Sequence, residues 1–325
     1  VAILGVIDSL SAGYRFLTRR PDLILIPLVL DLLLWLVPRL SVAPLFEEVA
    51  RFYRTLTTAP EVPADMVTLT AQVAEVLSEA GQSSNLWIVL ALISRSLLHV
   101  PSLLIEINPL SPGTTQTISS FSTAFLVAAL LSFVSITIGV VYLNLLARHL
   151  PIGTGPKTIV WRQFPGLVLR HSLLIVLYLV LVILALLALF VPLSLGMTLI
   201  ALIFPVLTPV SALFFGALTT ILFLYLYFVP VGLILDDLPL FAAIRQSFRL
   251  VRDNFWSTLG LILLTELIML GFTIMLGRLI AFQPLGIVAA IVVNAFLGSG
   301  MAMGFMIFYR SRVLLAQGEP VNVEL

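Results

Sequence analysis

The chain has 325 residues, 60% of them apolar and only 10% charged, with a mean hydropathy of +1.16 and a formal net charge of +1. A soluble domain carries about 25% charged residues, so this chain has too little polar surface to face water and reads as an integral membrane protein. The absence of Cys excludes disulfides, thiolate metal sites, iron–sulfur clusters and Cys nucleophiles, and apolar runs without ten-residue alternation exclude an outer-membrane barrel.

In chain order, Ile3, Ile7, Leu10, Tyr14 and Leu17 step four, three, four, three along one helical face, with Ser11, Arg15 and Arg19 on another. This predicts a helix lying in the membrane interface, its Arg side chains reaching lipid phosphates. Leu23 to Val37 is apolar except for Asp31 and is the first predicted crossing, kinked at Pro27. Residues 41–85 are polar enough for water and predict a helical cap outside the bilayer. In the cap, Leu45, Val49, Phe52 and Leu56 form one stripe and Met66, Val73 and Leu77 a second. Glu47 and Arg51 are an i,i+4 pair, and Asp65, Glu75 and Glu79 point outward. Residues 86–120 hold the apolar stretch Leu86 to Leu98, too short to span and interrupted by Arg95, so a re-entrant or interfacial segment is expected.

Ala124 to Leu146 is the second predicted crossing, with a small-residue stripe at Ala124, Ala128 and Ser132 and Gly139 further along. A basic loop follows, with Arg148, Lys157, Arg162 and Arg170. Ser172 to Val191 is the third crossing, Pro192 to Pro209 a half-membrane excursion broken by prolines, and Ser211 to Leu235 the fourth crossing. The acidic pair Asp236 and Asp237 then opens a second cationic amphipathic helix. Its apolar face is Phe241, Ile244, Phe248, Val251 and Phe255, its basic face Arg245, Arg249 and Arg252, and Asp237 is placed to cap its start. Trp256 marks the interface. The fifth crossing runs to Arg278 and contains Glu266. The sixth, Leu285 to Phe308, carries the stripe Ala290, Asn294, Gly298 and Ala302 and the pair Gly300-x-x-x-Gly304, positions suited to close helix packing.

With the N-terminus cytoplasmic, Arg15, Arg19, Arg20, Arg148, Lys157, Arg162, Arg170, Arg245, Arg249, Arg252, Arg310 and Arg312 lie inside. Arg39, Arg51, Arg54, Arg95 and Arg278 lie outside, which satisfies the positive-inside bias. Residues 1–325 are therefore expected to form a single all-α domain: a polytopic helical bundle of six transmembrane helices with interfacial amphipathic helices and both termini cytoplasmic. At one constant offset Leu10, Tyr14 and Arg15 match Ile244, Phe248 and Arg249, and Asp31 and Glu266 fall one position apart, the pattern of an internal repeat.

The stretch Asp236 to Leu264 carries Ala242-Ala243-Ile244-Arg245-Gln246-Ser247-Phe248-Arg249-Leu250-Val251 leading into Asn254-Phe255-Trp256. It resembles the helical membrane domain attached to some bacterial glycerophosphodiester phosphodiesterases, and related stand-alone six-helix bacterial membrane proteins. The resemblance implies the fold and a bacterial cytoplasmic membrane. The sequence stops at Leu325 with no soluble phosphodiesterase domain, so the activity is not implied.

Asp31 and Glu266 are the sharpest candidates, because a carboxylate at mid-membrane costs at least about 2.5 kcal/mol and calls for a cavity or a partner. They would serve a proton- or cation-coupled pathway, or hydrogen-bond to a neighbouring helix through Asn294, Ser or Thr. Arg95, His99 and Glu106 form either a polar cluster under the cap or a structural ion pair. His99, His149 and His171 sit among no suitably spaced second ligands, so no metal or other cofactor is expected. Arg15, Arg19, Arg245, Arg249 and Arg252 are candidates for contact with lipid headgroups or with a partner's acidic loop. Two functions remain: a non-enzymatic scaffold or accessory subunit, with membrane lipids and other membrane chains as partners and no nucleic acid, or a transporter or lipid-handling protein that uses the carboxylates.

Overall fold

The structure, a computed structural model, describes residues 4–56, 64–104, 114–152, 162–204, 206, 208–319 and 321. Among these residues the chain is almost wholly helical. The helices are α1 (Val6–Arg19), α2 (Leu25–Leu36), α3 (Ala43–Leu56), α4 (Ala64–Ser83), α5 (Ile88–Leu98), α6 (Phe121–Arg148), α7 (Phe164–Ile203), α8 (Thr208–Leu226), α9 (Val229–Leu235), α10 (Leu240–Asp253), α11 (Phe255–Leu279) and α12 (Leu285–Gln317). Two short strands, β1 (Leu40–Ser41) and β2 (Gln116–Thr117), pair in parallel.

Among the described residues, five segments are long and apolar enough to cross a membrane: α6, Phe164–Thr198 of α7, Leu213–Leu235 across α8 and α9, α11 and α12. A sixth exists only if α4 and α5, bent by 96°, form one broken span. The molecule is thus a multi-pass membrane protein. The first expected crossing is shorter than its apolar run. Pro21–Ile24 forms a 3-10 turn, and α2 has 12 residues, about 18 Å of helix against about 30 Å of hydrocarbon. Pro27 does not kink it. It sits in the first turn of α2, where the missing N–H has no intrahelical partner to lose.

The expected excursion at Pro192 to Pro209 does not form either. α7 continues through Pro192 to Ile203 as a 40-residue helix, about 60 Å long, and α8 returns beside it with Phe190 and Phe215 5.5 Å apart.

Both surface helices form where the periodicity places them, and each buries residues partly on and partly beside its apolar stripe. On α1 the buried residues are Ser9, Leu10, Ala12, Gly13 and Leu17, whereas Ile7 is 70% exposed; Ile3 lies outside the described residues. On α10 they are Leu240, Ala243, Ser247, Leu250 and Val251, whereas Phe241 and Phe248 are exposed. The cause is close approach. A Cβ on Gly13 would sit 2.5 Å from the Gly300 carbonyl oxygen and 2.7 Å from the Gly304 nitrogen, so α1 crosses α12 nearly backbone to backbone. Tyr14 Oη donates to the Leu297 carbonyl at 3.0 Å. On α10, Ser247 Oγ donates to the Tyr225 carbonyl at 2.7 Å and accepts the Phe228 N–H at 3.2 Å. It thereby satisfies the backbone groups released where α8 breaks into α9.

The ends of α1, α6, α9 and α12 and the start of α7 meet at one pole of the bundle, held by the acidic pair. Asp236 accepts from Tyr309 Oη (2.6 Å), Gln246 Nε2 (3.0 Å) and Arg310 Nη1 (2.9 Å). Asp237 does not cap α10, whose N-cap is Pro239 without a side-chain bond. It takes a left-handed backbone (φ 53°) and accepts from His171 Nε2 at 3.0 Å and Arg170 Nη1 at 3.2 Å. Arg20 reaches His149 at 3.2 Å and Arg312 reaches the Leu4 carbonyl at 3.1 Å.

The cap stands at the other pole as the antiparallel pair α3 and α4. Glu47 pairs with Arg54 at 2.7 Å and accepts from Ser78, while Arg51 turns to the Glu47 carbonyl. The expected Glu47–Arg51 side-chain pair is therefore replaced by one a turn further on. Leu45, Ala50 and Ala74 are buried, but Phe52, Leu56 and Met66 of the expected stripes are exposed.

Candidate functional site

The polar groups at membrane depth gather around the chain reversal that follows α5. α5 ends at Leu98 because His99 adopts a left-handed backbone (φ 54°), with its N–H on the Arg95 carbonyl at 3.1 Å. Residues 99–104 then turn back beneath α12. Asp31, 0% exposed, accepts the Ser102 hydroxyl on one oxygen and the Leu103 N–H at 2.8 Å on the other. Arg95 Nη1 donates to the Ser102 carbonyl at 3.3 Å. A side chain on Gly298 would overlap Pro101. The reversal is irregular backbone at membrane depth, tolerated because protein surrounds it and Asp31 receives its free donors.

Glu266 lies on the other side of this reversal. Eleven residues beyond Phe255, about 16 Å from the start of α11, it is exposed. It lines a cavity of about 80 Å³ with Arg95, His99, Pro101, Tyr227 and Thr265. Tyr227 belongs to the break between α8 and α9, and its ring packs edge-on against His99 with centroids 4.9 Å apart. Phe305 packs against both, with its ring centroid 5.2 Å from that of His99 and 5.5 Å from that of Tyr227. Asp31 is not among the residues that line this cavity. Asn294 bonds to neither of them: it is 2% exposed, and its amide nitrogen has no hydrogen-bond partner among the described residues.

The other expected sites take structural places. Gly300 and Gly304 receive Tyr14 and Leu10 of α1, Gly298 receives Pro101, and Ala290 and Ala302 are buried in the chain's own core. On α6 the close contact lies one turn beyond the expected stripe, where Ser135 bonds to the Leu90 carbonyl and the Ser94 N–H and Gly139 meets Leu98. His171, 1% exposed, lies between Asn144 at 3.2 Å and Asp237, and is satisfied with its proton on Nε2. His149 bonds to the Leu145 carbonyl and Arg20. The three histidines occupy separate sites, and among the described residues no cluster of His, Asp and Glu could hold a metal ion. Arg15, Arg19, Arg245, Arg249 and Arg252 are exposed; Arg252 pairs with Asp253 at 3.0 Å. Glu106 and Lys157 lie outside the described residues.

Sequence reasoning passed over Ser102, Ser247 and Tyr227. Tyr227 carried a legible signal, a phenol inside an apolar run next to Pro230. Compared with known proteins, the chain matches no family model, no curated protein and no solved structure.

Proposed function

We propose that the chain is a non-enzymatic scaffold or accessory subunit of a larger membrane assembly, set in a bacterial cytoplasmic membrane with α2 as a sixth, short crossing and both termini cytoplasmic. The observation that carries the reading is Glu266. A carboxylate exposed on a mostly unburied helix costs at least about 2.5 kcal/mol in hydrocarbon, and a partner chain supplying a hydrogen-bond donor removes that cost. The faces around it agree. Leu263, Leu267, Leu270 and Ile274 are exposed along α11, and Phe52, Leu56, Met66, Leu69 and Val76 are exposed on the cap. Apolar cap residues outside the bilayer mark a contact surface. The gathering of Arg20, Arg148, Arg170, Arg310 and Arg312 at one pole supports the orientation. The resemblance of Asp236 to Leu264 to stand-alone membrane domains supports the bacterial setting.

Transport is the second reading. The polar cavity at Glu266 favours it, and the enclosure of Asp31 weighs against it. Extraction in a gentle detergent followed by mass measurement separates the two. An assembly should exceed the 35.5 kDa of the chain and fall back to it in Glu266→Leu without a change in melting temperature. A lone chain whose solute uptake is lost in Glu266→Gln would overturn the scaffold reading.

A further inference from the structure

A groove of about 740 Å³ runs between α2, α5 and α6 and opens sideways from the bundle. Its wall is almost wholly apolar. Leu25, Val29, Leu33 and Val37 line one side and Leu130, Val134 and Val141 the other, with Trp87 and Leu90 of α5 also in the lining. From Leu25 to Val37 it extends about 18 Å along α2. An extended acyl chain can lie along this length, and the charge at one end of the groove sets which lipid it belongs to.

One end of the groove is charged. Leu25 follows Arg19 and Arg20 by one 3-10 turn, and Val141 leads along α6 to Arg148 and His149. Arg20 Nη2 lies 3.2 Å from His149 Nε2, which ties the two chain segments together at this end. Asp22 pairs with Arg20 at 3.0 Å. With exposed Arg19 beside Arg20, two guanidinium groups stand against one carboxylate at the end where a headgroup would lie. The opposite end is closed by Trp87, whose Nε1 donates to the Pro38 carbonyl at 3.1 Å.

We infer that this groove binds one acyl chain of an anionic phospholipid from the leaflet at the Arg20 pole, its headgroup phosphate held by Arg19 and Arg20. The site is independent of Glu266 and of any partner chain. The apolar wall sets the depth of the chain, and the arginines select the charge. Asp22 offsets one of the two arginines, and near a membrane surface the remaining single positive charge favours an anionic lipid by about fivefold.

The test uses Trp87 as the reporter. Trp35, Trp161 and Trp256 are changed to Phe, and the chain is reconstituted in phosphatidylcholine vesicles. Brominated-chain phosphatidylglycerol or brominated-chain phosphatidylcholine is then added at equal mole fraction. Trp87 should be half-quenched at about fivefold lower mole fraction of the anionic lipid. Arg19→Gln with Arg20→Gln should abolish that preference. Val134→Phe, which fills the groove, should weaken quenching by the anionic lipid while the melting temperature holds. Equal quenching of the parent by both lipids would show ordinary boundary lipid and overturn the proposal. A preference that survives the double Arg substitution would overturn the headgroup assignment, and so the site as drawn.

Discussion

Asp31 and Glu266 are both carboxylates inside apolar runs, yet their surroundings differ completely. Asp31 accepts from Ser102 and Leu103 inside the protein, whereas Glu266 is exposed. Replacing Asp31 with Leu strands two buried donors, at about 1–3 kcal/mol each. Asp31→Leu should therefore lower stability by about 2–6 kcal/mol, and Asp31→Asn, which keeps one acceptor, by less. Unfolding in detergent measures both. Loss of solute uptake at unchanged stability would contradict the structural role. At the charged pole, burial pushes the Asp237 carboxyl up, but His171 and Arg170 together pull it below its ordinary value of 3.8. A depressed folded-state pKa contributes stability above the unfolded value and loses it as pH falls through the folded one. The melting-temperature gap between the parent and Asp237→Asn should stay constant from neutral pH down to about 4 and close below it. Asn suits the left-handed backbone there, so the comparison isolates the charge. A gap that closes already near pH 6 would contradict this assignment.

The helices themselves were legible from composition and periodicity, and α10 was read within two residues of its observed ends. Which face turns inward was not. Periodicity places the apolar stripe of a surface helix in the interface and is silent on which residues meet protein. In lipid, Phe241 and Ile7 lose nothing by facing acyl chains, and close backbone approach favours Gly13 and Ser247 at the contact. The same environment explains α7. A Pro in an apolar helix frees one carbonyl, and neighbouring groups re-satisfy it, so Pro192 did not mark an end. The break of α5 at His99 and the burial of Asp31 depend on residues 99–104 folding under α12, a contact that no local pattern announces. The α1–α12 crossing is testable by adding a methyl group. Gly13→Ala meets backbone atoms that cannot step aside, and Gly300→Ala meets the ring of Tyr14. Both should destabilise, Gly13→Ala more, by about 1–3 kcal/mol. Gly271→Ala, with nothing within 4 Å, should be neutral or stabilise by up to about 1 kcal/mol. Equal effects at all three positions in thermal unfolding would contradict the crossing.

For the whole molecule, the balance lies between a well-buried seam and poorly covered flanks. The window in α12 is 61% buried, whereas those in α7 and α11 are each 17% buried. α7 is about twice as long as the hydrocarbon core is thick, and Leu187, Val191 and Leu195 are exposed in its distal half. A lone chain would leave these flanks, the cap face and Glu266 to lipid and water. The most direct test is photo-cross-linking in native membranes. A photoreactive residue placed at Leu270, 60% exposed on α11, is compared with one at Leu261, 0% exposed. Position 270 is expected to join a second protein chain and to lose that product in Glu266→Leu, while position 261 links only within the chain. Lipid adducts alone at position 270, unchanged by Glu266→Leu, would contradict the assembly role.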